Sequence, residues 1–136
     1  MIRAPELFYT EETRTALFSG GVMMLRAGLQ VTSSQLRGVF VVKDGSSQLD
    51  TSYADGQVRI VQKAPQRTRQ GSAEHAEYYV SEAKVVLYGG VAQFEDSLRG
   101  TERGDRITWY QEKDRTVVEG RKGEPANGRI RRSPNR

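Results

Sequence analysis

Cysteine is absent from this 136-residue chain, and histidine occurs once, at His75. Without thiols there is no disulfide, no cysteine nucleophile and no Cys-ligated zinc. With one imidazole a His-rich metal site is excluded, and the sequence calls for no metal and no cofactor. No apolar run approaches the ~20 residues that a membrane-spanning helix needs. Met1-Ile2-Arg3-Ala4-Pro5 lacks the apolar core of a signal peptide, so an exported form is expected to carry its signal or anchor outside this sequence. Helical periodicity is nearly missing too. The best helical segment, Ala73 to Tyr79, aligns with the strand-like Asp105 to Tyr110 and is read as a strand.

Acidic excess is also lacking, but the net charge of +4 misleads. Arg121, Lys122, Arg129, Arg131, Arg132 and Arg136 face only Glu124 in the last sixteen residues. Residues 1–120 keep 15 basic groups against 16 acidic ones. The boundary therefore divides a near-neutral domain, 1–120, from a basic tail, 121–136. The tail's charge, glycine and proline predict disorder. A domain without basic excess lacks the attraction that nucleic-acid backbones require, so no nucleic acid is expected as partner.

What the chain does have is a recurring phrase. Leu17-Phe18-Ser19-Gly20-Gly21-Val22 returns as Ala54-Asp55-Gly56-Gln57-Val58 and as Leu87-Tyr88-Gly89-Gly90-Val91, and breaks off at Val117-Val118-Glu119-Gly120. Such spacing signals one supersecondary unit stacked on copies of itself. Short β-branched and aromatic runs surround the phrase: Val22–Leu25, Val39–Val42, Val58–Val61, Lys84–Tyr88 and Arg106–Tyr110. Polar segments near Glu12, Ser81 and Lys113 read as hairpin tips, and Asp44-Gly45 and Ala54-Asp55-Gly56 as turns. Glycine weakens a strand interior unless the strand bends, bulges or meets another backbone. One glycine per repeat therefore predicts one bend per layer of the stack. Ala16, Phe18, Val22 and Met24 share one parity, as do Val85, Leu87 and Val91, which gives each strand one apolar face. The fold expected is all-β and antiparallel, with two facing sheets.

Catalytic sets do not assemble. His75 lies near Glu74 and Glu77, but no nucleophile accompanies it in sequence. Glu11-Glu12, Glu74 with Glu77, and Glu95-Asp96 offer paired carboxylates for glycoside chemistry, yet they fall at turns or on alternating faces. Gly20-Gly21 and Gly89-Gly90 precede no helix and lack the Lys-Ser/Thr of a phosphate loop. An enzyme is not expected. Two readings remain: a filled sandwich core, or an interior that holds acyl chains. Open sheet edges at either end of the stack add a third use, strand addition by a partner.

The order "Tyr-x(n)-Ala-x-Phe-x-Gly-x-Val", then "Gly-Asp-Arg-Ile-x-x-Tyr", resembles the OstA/LptA family of lipopolysaccharide-transport proteins. The matching stretches are Tyr9 to Val22, Ala54 to Ile60, Gly71 to Tyr79, Val85 to Val91 and Gly104 to Gly120. Gly-Gly-Val at 20–22 and 89–91 replaces the family's usual Gly-Asn-Val, and Leu25 to Ser52 is less regular. The resemblance implies a β-jellyroll whose two sheets form a slightly twisted, open-ended V. It also implies that lipid A acyl chains sit in the groove, with edge-to-edge stacking into a periplasmic bridge. Lipopolysaccharide and other OstA-fold components are then the expected partners, with self-association through the same edges. The groove residues expected are Phe18, Val22, Met24, Val58, Ile60, Leu87, Val91, Ile107 and Trp109, with Arg26 and Arg37 as candidates for lipid phosphates. The alternative is a jellyroll interaction module with a filled core that assembles by edge-strand addition. An LptA-like chain, an LptC-like chain and an excised LptD N-terminal domain all fit this pattern.

Overall fold

The computed structural model describes residues 1–120 and 127–128. Among these residues ten strands follow one another: β1 (Ile2–Arg3), β2 (Glu6–Thr10), β3 (Thr15–Arg26), β4 (Leu29–Lys43), β5 (Ser46–Ala64), β6 (Arg67–Tyr79), β7 (Lys84–Asp96), β8 (Gly100–Tyr110), β9 (Arg115–Glu119) and β10 (Asn127–Gly128). They form one antiparallel sheet in the order β1-β3-β4-β5-β6-β7-β8-β10, with β2 also on β3 and β9 also on β8. Among the described residues there is no helix.

Each long strand is bent near its middle, so the single sheet folds into two layers. Pairing registers slip at Ser19/Val22, Thr32/Gln35, Asp55/Val58, Ser72/His75 and Tyr88/Ala92. In β3, β5 and β7 the slip is built from residues at positive φ, among them Gly20 and Gly21, Gly56, and Gly89 and Gly90. Side chains rarely adopt that backbone, which explains the repeated glycine. The repeat unit is thus a hairpin, and its glycine marks every second strand. Gly120 does not bend a strand; it follows the end of β9. Ala54-Asp55-Gly56, expected as a turn, is instead the bend inside β5. The expected tips do turn: residues 11–14, 80–83 and 111–114 join β2 to β3, β6 to β7 and β8 to β9.

The first layer contains the pairing row Met24, Val31, Ile60, Gly71 and Phe94. The second contains the row Phe18, Leu36, Ala54, Ala76, Leu87, Ile107 and Val118. The rows face each other. A Cβ on Gly71 would lie 2.7 Å from Leu87 Cδ1, and the Phe94 and Trp109 ring centroids are 5.2 Å apart. The core cluster draws on both layers from Val22 and Leu29 to Ile107 and Trp109. Its burial supplies the main stabilisation of a sheet that would otherwise be open on both faces.

The chain crosses between layers at its start. β1 pairs with the far half of β3, β2 with the near half, and Pro5 sits at the crossing against Gly20. At the other end Asn127 and Gly128 pair with Arg103 and Glu102 of β8. The sheet therefore reaches two residues into the segment expected to be a disordered tail. The rest of that expectation falls outside the described residues.

Candidate functional site

The interior between the layers differs along the stack. In the middle it is filled: Met24, Leu36, Ile60 and Val85 surround a residual void of only about 10 Å³. Toward β1 and β3 it opens into a cavity of about 620 Å³. Ile2, Met24 and Leu25 line it from the first layer, and Phe18, Phe40 and Leu49 from the second. The order of strands accounts for the opening. β1 has two residues and β2 five, so the layers have little cover at this end. Arg26, Ser47 and Gln48 add polar groups to its wall.

The opposite end is closed. A Cβ on Gly104 of the first layer would lie 2.7 Å from Glu119 O and from Val118 Cγ1 on β9 of the second. Only glycine permits that approach. Thr116 donates a hydrogen bond to Glu102 across the same gap, at 2.6 Å.

At the rim the hairpin tips are joined by an ion network. Arg67, on β6, donates to both oxygens of Asp96, at 3.0 Å from Nε and at shorter range from Nη2. Asp114, on the β8–β9 tip, accepts from Arg67 Nη1 at 2.9 Å, Arg69 Nη2 at 3.0 Å and Arg99 Nη2 at 3.0 Å. Its backbone carbonyl accepts a further bond from Arg99 Nη1 at 2.8 Å. Asp96 also accepts from the Leu98 N–H. Burial pushes the Asp96 carboxyl up, but the Arg67 and Leu98 hydrogen bonds and the Arg charges outweigh it, and its pKa lies below the ordinary value. Asp114 follows the same logic: burial raises it, and Arg67, Arg99 and Arg69 bring it below. The Arg67 guanidinium is held charged, chiefly by its hydrogen bond to Asp96. Two hairpin tips of the first layer, β5–β6 and β7–β8, are thereby tied to one of the second.

Of the expected groove residues, Val22, Met24, Val58, Ile60, Leu87, Ile107 and Trp109 are all buried in the core. Phe18 is half-buried, packs against that core and faces the cavity. Val91 is misplaced by parity: it is 56% exposed, and Ala92 takes the inward position. Two positive-φ glycines precede it, and the slip from Tyr88 to Ala92 inverts the alternation in β7. In β3, by contrast, Phe18 and Val22 stay on the same face. Arg37 is absent from the cavity wall; its guanidinium lies 4.4 Å from the Tyr53 ring centroid. Phe40, Leu49 and Ile2 escaped the parity argument because they lie outside the glycine phrase. The Arg–Asp network gave no local signal, since its partners are 15 to 47 residues apart.

The outer face of the second layer holds the one histidine. His75 Nδ1 is 2.7 Å from Asp55 Oδ1, and the ring stacks on Tyr88 at 5.2 Å. Tyr88 and Tyr79 both donate to Glu77, and the Tyr79 hydroxyl is raised by that bond to about 12. A shallow trough of about 1000 Å³ runs along the line of bends, past Gly20, Ser34, Gly56 and Gly90. At the first edge, β2 exposes Leu7, Phe8 and Tyr9, with Phe8 71% accessible.

A family model described as LptA/(LptD N-terminal domain) LPS transport protein matches residues 1–115. The fold is that of LptH from Pseudomonas aeruginosa, described as the LptA-homologous periplasmic component of the conserved lipopolysaccharide transport device. The TM-score is 0.78 at 16% sequence identity, over 98% of this chain and 94% of that one. No curated protein matches the chain.

Proposed function

This chain belongs to the LptA/LptD N-terminal-domain family of LPS transport proteins, and from that premise we propose how its β-jellyroll serves lipopolysaccharide transport. The acyl chains of lipid A enter between the layers at the β1–β3 end. The observation that carries this reading is the 620 Å³ cavity, to which both layers contribute apolar side chains and which adjoins the core at Met24. Phe18, Phe40 and Leu49 are the first contacts, with Met24 behind them. Val22, Val58, Ile60, Leu87, Ile107 and Trp109 line the filled interior, which chains reach only when the layers part. Each buried methylene contributes about 0.8 kcal/mol, so acyl chains bind strongly without special polar chemistry. Arg26 at the cavity wall is placed to meet an anionic head group. The protein is a carrier rather than an enzyme and works in the periplasm.

Edge pairing accompanies the carrier role. The exposed Leu7, Phe8 and Tyr9 of β2 support docking of another OstA-fold chain by strand addition.

The test is displacement of a fluorescent acyl probe by lipopolysaccharide, in the parent and in Phe18→Asp and Phe40→Asp. The parent should bind, and both variants should stay folded and lose the probe. Folded variants that bind lipopolysaccharide as well as the parent would place the acyl site elsewhere.

A further inference from the structure

Asp114 occupies a cradle of three arginines. Three guanidinium groups, from Arg67, Arg69 and Arg99, converge on its one carboxylate. Guanidinium forks match phosphate oxygens at least as well as carboxylate ones. The two acids of the network are unequal. Asp96 is anchored, with 6% side-chain exposure, two bonds from Arg67 and one from the Leu98 N–H. Asp114 is 37% exposed and sits on a four-residue tip at a φ of 50°. Three arginines against two aspartates also leave one positive charge in excess, and Arg69 Nε is buried without a hydrogen bond.

We propose that Arg67, Arg69 and Arg99 form a phosphate-recognition site in which Asp114 stands in for the ligand. A phosphate carrying acyl chains displaces the Asp114 carboxylate, frees the β8–β9 tip, and unlocks the closed end of the interior. This rests on the acyl-groove reading and goes beyond it, since the site lies at the end of the interior opposite the 620 Å³ cavity. The displacement is an exchange of one anion for another. The arginines are never left unpaired, so the buried charge remains compensated throughout. Arg67 and Asp96 stay together as the fixed part of the site. The displaced tip carries Thr116 and β9 with it, and these cover Glu102 and Gly104.

The molecule contains its own reporter. Trp109 is the only tryptophan, is buried, and lies beneath Arg69 with 5.5 Å between the guanidinium and the ring centroid. Its fluorescence is titrated with dodecyl phosphate, with uncharged dodecyl maltoside and with inorganic phosphate. The proteins are the parent, Asp114→Asn and Arg99→Gln, each checked by a thermal melt. Asparagine tolerates the left-handed backbone at this position, and Arg99 is the most exposed of the three arginines, so both variants should fold. Removing the competing carboxylate should tighten dodecyl phosphate binding by about tenfold in Asp114→Asn, and Arg99→Gln should weaken it by a similar factor. Dodecyl maltoside should bind all three proteins alike, and inorganic phosphate should compete with dodecyl phosphate alone. Equal dodecyl phosphate affinity in the parent and Asp114→Asn would overturn the stand-in role. Inorganic phosphate binding as tightly as dodecyl phosphate would make this a free-phosphate site and overturn the lipid assignment. If neither amphiphile binds any variant, the groove reading itself fails, and this proposal with it.

Discussion

The two ends of the stack use the same strands and the same bends, yet one is open and the other locked. At the β1–β3 end the layers stand apart around about 620 Å³ of space. At the β8–β9 end Gly104 lets the backbones touch, and five charged side chains tie the tips together. Hydrophobic burial alone does not produce that difference, because apolar rows face inward at both ends. The difference comes from what closes the rim. Short strands leave one end uncovered, and ionic hydrogen bonds span the other. A stack built in this way keeps a stable core while one end stays open.

The largest effect should separate filled interior from open mouth. Leu87 is 0% exposed and packs against the opposite layer at Gly71. Leu87→Ala should cost about 2–5 kcal/mol in a denaturant melt, and Leu87→Asp should abolish cooperative folding. Phe18→Asp, at the open end, should leave a folded protein. If Leu87→Asp melted like the parent, the middle of the stack would be a groove and not a core.

Next comes the lock. Asp96→Ala leaves Arg67 without its buried partner, and losing one member of a buried pair typically costs about 3–5 kcal/mol. Asp114→Asn should cost much less, since that side chain is more than a third exposed and neutral asparagine keeps some of the bonds. Equal losses in urea would erase the distinction between anchored and exchangeable acid.

Acid should open the locked end first. Asp96 and Asp114 both have folded pKa values below the ordinary one. The network's contribution is therefore complete above the unfolded carboxylate value of about 3.9 and is lost as pH falls through the lower folded values. Hydrogen exchange between pH 5 and pH 2.5 should show Gln111 and Asp114 losing protection before Leu25, whose N–H is bonded to Met1 O at the open end. Simultaneous loss at both ends would mean the network does not hold the rim.

The smallest effect is expected at Val91, the outward residue of the β7 bend. Val91→Ala should shift stability by no more than about 0.5 kcal/mol. A core-sized loss would return it to the interior.

Much of the fold was legible in local chemistry. Strand runs, polar tips and one bending glycine per hairpin appear in residues 17–22, 54–58 and 87–91, and β3, β5 and β7 bend there. Turn residues also marked the tips at 11–14, 80–83 and 111–114. The parity of Ala16, Phe18, Val22, Met24, Val85 and Leu87 pointed to the apolar face because side chains alternate strictly along an unbroken strand. That rule stops at a bulge. Whether a bend preserves or inverts alternation depends on how many residues the slip inserts, which the neighbouring strand decides, and Val91 was lost on that account. The open cavity and the arginine network belong wholly to the tertiary structure. Their residues meet only after the sheet has folded onto itself, so no short stretch of chain encodes which end opens. The sequence by itself determined the hairpin repeat, the bends and the family's two-layer plan, since these follow from backbone preference and side-chain polarity. Tertiary structure decided which end is open and which is clamped, because spacing between layers is set by contacts between residues as far apart as Arg67 and Asp114.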